Sequence, residues 1–414
     1  MMGRRMQNQD IEKPSCGVFQ SRCPVCGSDD GWTFAEIQRV PVHCNVLSPS
    51  RSHALLVQRR DLKMTCCRAC GHVYNAAFRS EETEYSSDYE NSLFFSDKYR
   101  AYASSLAEGL VERFDLHGKT IIEIGCGSGD FLRLLCDKGG NREIGFDPSA
   151  AAGSAIAGHP LITLVRDYYS ARHADVDTDL VCCRHVLEHV ESPSSFLKEI
   201  IGALPAGKRA GLFFEVPDVM FILKDHSSWD LIYEHPSYFS MSSLHRLFSI
   251  GECRVEEIWK SFHDQFLCIC ATPGSGDVHN RETASDLDKM DVLHHAQVFS
   301  RVFRSQVRDW EQRLRLMQQL KKRVVLWGAG SKGVTFLNVL QGEGAIEYVV
   351  DINDRKQGKF IPGTGQAIVS SDFLKEYRPD AVILMNPAYE DEVRKELGHL
   401  NLNGRVFPVN RPEG

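Results

Sequence analysis

The stretch KTIIEIGCGSGDFLRLLCDKG, residues 119–139, decides the fold. An apolar run carries Glu123 near its end. Three alternating glycines follow, Gly125, Gly127 and Gly129, and an amphipathic pattern resumes at Asp130. The reading is strand, glycine turn, helix. Glycines allow a tight turn and let backbone N–H groups approach a ligand at a helix N-terminus. The next strand-like run, EIGFD, ends in Asp147, where an acid can hold ribose hydroxyls. Further apolar runs, TDLVCCRHVL, AGLFFEVP and QFLCICATP, alternate with helical patterns such as SPSSFLKEIIGAL. That alternation predicts a largely parallel, doubly wound α/β sheet. Upstream, KYRAYASSLAEGLVERF is amphipathic and predicts a helix.

The surrounding chain sets bounds. Its 414 residues suffice for two or three domains. No run of 18 apolar residues occurs, so no membrane span is expected. The N-terminal MMGRRMQNQDIEKPS is polar and does not read as a secretory signal, and a cytoplasmic location is expected. A net charge of −7 argues against a nucleic-acid surface, while leaving room for a basic pocket that takes a phosphorylated small molecule. Fourteen cysteines without an export signal point to core thiols or a metal site rather than disulfides. Cys182, Cys183, Cys268 and Cys270 lie in apolar runs and read as core packing.

Two CxxC units stand apart from these. Cys23 and Cys26 form one pair, Cys67 and Cys70 the other. Each can turn two thiolates onto one ion, and two such knuckles complete a tetrahedral four-cysteine zinc site with no open position, hence a structural one. The long gap between the pairs requires an excursion of the chain. Spacing alone leaves Cys44 and Cys66 as substitutes.

Toward the C-terminus, SGDVHNRETASD reads as a linker. Phe299, Phe303, Val307, Trp310, Leu314 and Met317 then recur on one helical face, which is expected to pack on a domain. A second strand–glycine–helix unit begins at Arg323. Gly328, Gly330 and Gly333 follow VVLW, and Asp351 ends the next strand, the outline of a dinucleotide fingerprint. EYVVDIN, DAVILMN and RVFPVN complete a second doubly wound unit.

The first glycine loop reads E-x-G-x-G-x-G rather than G-x-G-x-x-G. With Asp147, Asp167 in LVRDYYS and the run RHVLEHV (residues 184–190), it resembles the class I S-adenosylmethionine-dependent methyltransferases. The resemblance covers residues 118–272. It implies S-adenosylmethionine held by Glu123, Gly125, Gly127, Gly129 and Asp147, with Asp167 against the adenine amine and His185 lining the cofactor site.

Beyond the fifth strand lies Tyr233-Glu-His-Pro-Ser-Tyr-Phe-Ser240, dense in groups that move protons. His235 can abstract a proton, Glu234 can orient it, and Tyr233 or Tyr238 can stabilise an enolate. Taken with the cysteine module, the methyltransferase core and the C-terminal glycine loop, nearly the whole chain resembles the sugar C-methyltransferases that act on nucleotide-linked keto-deoxysugars. That resemblance implies His235 as base, with Glu234 and His189 beside it. Family members read Tyr-x-Glu-His, whereas here Tyr233 directly precedes Glu234, which leaves the tyrosine open between Tyr233 and Tyr238. It also implies that the C-terminal unit holds the nucleotide half of the substrate rather than NAD, with Lys332 and Asn386 as candidate contacts. The implied organisation is a disordered tail (1–20), a zinc-binding module (21–83), a methyltransferase domain (84–274), a linker and long helix (275–322) and a Rossmann-like domain (323–414). The expected partner is a small molecule, and the chain a monomer or homodimer. Oxygen or nitrogen methylation of another metabolite, or NAD-dependent oxidation at Gly328–Asp351, are the rival activities.

Overall fold

The computed structural model describes residues 22–80, 89–149, 153–174, 176–205, 210–274, 282–340, 344–402 and 404–410. The tail expected over residues 1–20 lies outside them.

The first sheet is antiparallel. Strand β1 (Gly31–Pro41) pairs with β2 (Arg59–Cys67), with the short helix α1 (Arg51–Leu55) between them, and β3 (Val73–Asn75) pairs with β2. Helix α2 (Asp97–Phe114) follows. Ser96 caps it by accepting from the Tyr99 N–H, and Asp115 ends it in the left-handed region. Its buried stripe, Tyr99, Ala103, Ala107, Leu110 and Val111, packs against the central sheet.

That central sheet holds β4 (Thr120–Ile124), β5 (Arg142–Phe146), β6 (Ile162–Val165), β7 (Leu180–Arg184) and β8 (Gly211–Pro217), all parallel. Helices α3 (Asp130–Gly139), α4 (Pro193–Gly202), α5 (Val219–Lys224) and α6 (Met241–Ile250) lie along this stretch. Before α6, the two-residue strand β9 (Ser237–Tyr238) leaves the central sheet and pairs with β3 of the first. The hairpin β10 (Cys253–Ser261) and β11 (Phe266–Pro273) completes the order β10-β11-β8-β7-β4-β5-β6, with β11 antiparallel to β8. This is the class I methyltransferase arrangement expected from the glycine loop. The order reverses at β4, which opens a crevice at the carboxyl ends of β4, β5 and β7. Cys182, Cys183, Cys268 and Cys270 are buried in this sheet, as their apolar contexts predict.

Helix α7 (Glu282–Gln319) runs for 38 residues. It claims Glu282–Asp286, which the sequence assigns to the linker. Its apolar face changes partner along its length. Val292, Ala296, Phe299 and Phe303 pack into the core shared by β1 and α5, whereas Trp310 and Leu314 pack under the third sheet. The Trp310 indole donates to the Val409 carbonyl at 3.2 Å.

The third sheet comprises β12 (Val324–Trp327), β13 (Ile346–Val350), β14 (Ala367–Val369), β15 (Ala381–Leu384) and β16 (Arg405–Pro408), wholly parallel in the order β14-β13-β12-β15-β16. Helices α8 (Ser331–Val339), α9 (Leu374–Tyr377) and α10 (Glu390–His399) accompany it. Two of the contacts that tie it to the rest are these. Ser48 and Phe360 exchange backbone hydrogen bonds at 3.0 and 2.9 Å. Glu392 accepts from the Ser96 hydroxyl and the Lys98 N–H, at 2.9 and 2.8 Å, at the start of α2. Among the described residues no helix is long and apolar enough to cross a membrane.

One core residue gives a pH-dependent prediction. Glu143 on β5 is fully buried, neither carboxylate oxygen has a hydrogen-bond partner among the described residues, and burial pushes its pKa up to about 10. A carboxyl raised in the folded state binds its proton more tightly there, so stability falls as pH rises from the ordinary carboxylate range toward 10. Glu143→Gln removes that penalty. Melting curves should show the variant more stable than the parent at pH 8, with the gap closing toward pH 4.5; a gap independent of pH would contradict the assignment.

Candidate active site

The glycine turn between β4 and α3 is built as its sequence requires. Gly125 has φ +72, and a Cβ there would come within 2.2 Å of Val186 Cγ2, so the turn can lie against the segment after β7 only without a side chain. Around Gly127 nothing would obstruct a Cβ within 4 Å, which leaves the loop open on its outer side. Asp147, at the end of β5, accepts from the Gly127 N–H at 2.9 Å and from the Ser149 N–H at 2.8 Å. Glu123 is buried, one of its oxygens has no partner among the described residues, and burial pushes it up to about 8. An open glycine cradle, an orphaned buried carboxyl and an acid at the next strand end fit an adenosyl ligand. Asp167 stands apart. Its carboxylate pairs with Arg172 at 3.0 Å and accepts from the Tyr168 N–H, so an adenine contact requires that pair to open.

The segment after β7 forms the second half of the site. His185 takes a left-handed backbone, φ +53, unusual for a residue with a Cβ. Its Nε2 lies 2.7 Å from Glu215 on β8 and its Nδ1 3.4 Å from Glu188. Against the cost of burial, these two carboxylates hold the imidazole up at about 9, so it is charged at neutral pH. Glu215, though wholly buried, is held down at about 2 by Arg184 and His185, and it accepts from the Tyr102 hydroxyl at 2.7 Å. His185 thus braces the wall of the site through two carboxylates.

His189 and His235 meet edge to face, with ring centroids 4.5 Å apart. The Nδ1 of His189 lies 3.0 Å from the Glu234 carbonyl. Burial, and the nearby charges of His189, His185 and Lys332, hold His235 well below the usual histidine range, so its imidazole is neutral. The sequence expects the Glu234 carboxylate to orient His235. The structure turns it the other way, where it accepts from the Cys44 N–H at 2.7 Å and faces His43 Nδ1 at 3.5 Å. It anchors the chain segment that follows β1.

The two candidate tyrosines are both spent on structure. The Tyr233 side chain is fully buried, packs on Phe78, and its hydroxyl accepts from the Arg79 N–H and donates to the Ala77 carbonyl. The Tyr238 hydroxyl accepts from the Ile232 N–H at 2.9 Å and donates to the Ile232 carbonyl at 3.0 Å, closing the loop that carries His235. The Tyr238 ring also meets His235 edge to face at 5.7 Å. A further tyrosine beside the histidines is Tyr89, which the sequence reading missed. Its ring meets His189 edge to face at 6.4 Å, and its hydroxyl accepts from Asn45 at 3.2 Å. Burial and the charge of Glu234 keep its phenol well above the usual range, hence protonated.

The cysteine pairs converge behind this loop. Cys23 and Cys70 bring their sulfurs to 3.6 Å, as do Cys26 and Cys67, and all four lie within 4.8 Å of one another. Four thiolates on zinc at ~2.3 Å would stand roughly 3.8 Å apart, so the donor set and spacing are compatible with a structural tetrahedral site. Cys66 and Cys44, the substitutes that spacing left open, lie outside the cluster.

The C-terminal glycine loop opens a cleft of about 610 Å³ at the carboxyl ends of β12, β13 and β15, facing the start of α2. Lys332 and Lys356 line it. Lys332 pairs with Asp230, and Lys356 lies 3.8 Å from Asp351. Asn386 also lines the cleft, where its amide donates to Gln265 at 3.1 Å.

Comparison with known proteins agrees with this layout. The chain matches the family model described as methyltransferase domain over residues 97–256 and that described as C-methyltransferase C-terminal domain over residues 272–412. It is 25% identical to the C-methyltransferase NovU of Streptomyces niveus, over 98% of this chain and 97% of that protein. The chain is an S-adenosylmethionine-dependent methyltransferase, similar to C-methyltransferases over nearly its full length. Among solved structures, the enzyme is similar over part of its length to two methyltransferases. The magnesium protoporphyrin IX methyltransferase of Synechocystis is 16% identical, over 43% of this chain and 84% of that one, with a TM-score of 0.34. The Burkholderia thailandensis 1,6-didemethyltoxoflavin-N1-methyltransferase is 12% identical, over 49% and 96%, also with a TM-score of 0.34.

The cofactor reading makes a calorimetric prediction. Asp147→Ala should weaken binding of S-adenosylhomocysteine by roughly 1.5–3 kcal/mol, the range for hydrogen bonds to a charged group. Unchanged affinity would remove Asp147 from the cofactor site.

Proposed function

We propose that the enzyme methylates the carbon beside the ketone of a nucleotide-linked keto-deoxysugar, with His235 as the base that removes the proton. The observation that carries the reading is Lys332. Its ammonium lines the C-terminal cleft and pairs with Asp230, on the segment that leads to His235. A substrate with a diphosphate in that cleft and a sugar at the histidines would span the two. Lys332, on leaving Asp230, and the N-terminus of α8 would supply the positive potential a diphosphate needs. Lys356 also neutralises Asp351, the acid that would grip a ribose diol in an NAD site, which favours the sugar-nucleotide reading of the glycine loop.

The proposed chemistry needs little machinery. A proton next to a carbonyl is already acidic. Neutral His235 accepts it, and His189, fixed by the Glu234 carbonyl, stands beside it. The protonated Tyr89 hydroxyl would donate to the developing enolate oxygen. S-adenosylmethionine supplies an electrophilic methyl group to the carbanion when it is bound. Glu123, the glycine turn and Asp147 would hold its adenosyl part. The protein otherwise aligns the partners and excludes water. The four cysteines would hold one structural zinc behind the loop.

Two results are expected. His235→Asn should cut turnover on a keto-sugar nucleotide by ~10²–10⁴-fold, the usual contribution of a general base, with affinity for S-adenosylhomocysteine nearly unchanged. Mass analysis should find the labelled methyl on carbon; a labelled methyl on oxygen or nitrogen, or tight NAD binding abolished at Gly330, would overturn the proposal. Separately, metal analysis of chelator-free protein should find about one zinc per chain, lost in Cys67→Ser. Metal-free yet folded parent protein would end the zinc assignment.

A further inference from the structure

The histidine pair has a third member that proton abstraction does not call for. Glu188, His189 and His235 each bring a ligand atom to within 4.8 Å of the other two. Two of the three are prepared as a metal ligand would be. A carbonyl oxygen can only accept, so in the contact with Glu234 O it is the His189 Nδ1–H that donates. Glu188 is buried; one of its oxygens faces His185 Nδ1, while the other is buried without a partner among the described residues. Metal-binding histidines commonly donate their other N–H to a backbone carbonyl, and ligating carboxylates are themselves hydrogen-bonded. Both conditions are met here. The four-cysteine cluster is a separate site with different donors.

We propose that Glu188, His189 and His235 form a binding site for a borderline divalent cation of the zinc, cobalt and nickel class, and that its occupancy blocks methyl transfer. Ligand atoms on such an ion sit at ~2.0–2.2 Å from it, hence roughly 3.0–3.5 Å apart, so binding draws the three groups together, by rotation of His235 toward Glu188. Two imidazoles and one carboxylate leave a fourth position for water. The bound ion takes the lone pair that His235 would use on the substrate proton. This inhibitory consequence rests on the reading of His235 as base; the binding itself does not.

The test is a titration of the protein, its cysteine-bound metal retained, with cobalt(II) alone. One further equivalent should bind with weak visible ligand-field bands and no thiolate-to-cobalt charge-transfer band. Glu188→Gln and His189→Ala should each weaken it at least ten-fold while still binding S-adenosylhomocysteine. Turnover should fall with occupancy, and a chelator should restore it without removing the cysteine-bound metal. No extra cobalt, or a thiolate spectrum, overturns the site, and the parent protein's spectrum decides this even if both variants fail to fold. Cobalt that binds as described but leaves turnover intact overturns the inhibitory role and takes His235 as base with it. Activity lost to a mild chelator and regained with cobalt overturns the inhibitory role in favour of a required metal.

Discussion

The pairing of Ser237–Tyr238 with Val73–Tyr74 is the constraint on which the active site depends. The chain leaves the central sheet after β8, and those two residues dock onto the antiparallel sheet of the N-terminal module. The partner strand β3 follows directly from the second cysteine knuckle, through Gly71 and His72. His72 is buried, stacks on Tyr74, and lies 3.3 Å from the Ser237 hydroxyl. The Asn75 N–H donates to the Pro236 carbonyl, one residue beyond His235. A small module whose core could not otherwise hold a loop rigidly is thus cross-braced where the loop attaches. The cysteine cluster is remote from the chemistry, yet the backbone that positions His235 hangs from it.

The same loop is held on its other flank. Lys332 pairs with Asp230, and the Thr335 hydroxyl reaches the Leu231 carbonyl at 3.5 Å. Helix α8, which opens from the C-terminal glycine loop, therefore abuts the segment leading to Glu234 and His235. Residues from all three sheets surround this loop and its neighbours. The central sheet supplies the glycine turn, Asp147 and His189. The first sheet's excursion supplies His43, the Cys44 N–H and Asn45. The third supplies Lys332.

Much of this was legible in the sequence because its signals are local. A strand, a glycine turn and an acid at the next strand end are fixed by neighbours in the chain, so Glu123 to Asp147 and Gly328 to Asp351 were readable. The cysteine pairs were readable for the same reason. The tyrosines were not. Adjacency in Tyr233-Glu-His suggests a shared site, but the chain turns here, with the His235 N–H donating to the Ile232 carbonyl, so Tyr233 enters the core while His235 meets His189. For the same reason Glu234 reaches Cys44 rather than its neighbour. Tyr89 and Asn45 carry no local pattern at all. They join the site through an isolated bridge between Val46 and Tyr89, a long-range pairing that no periodicity announces.

The central claim is that a neutral histidine, presented by this braced loop, removes a proton from carbon before the methyl group arrives. Solvent deuterium exchange separates those two steps. With S-adenosylhomocysteine bound, so that no methyl group is available, the parent enzyme should exchange the proton beside the ketone of a keto-sugar nucleotide, and His235→Asn should not. Exchange at the parent rate in His235→Asn, with loss of exchange in His189→Asn instead, would contradict the assignment of the base.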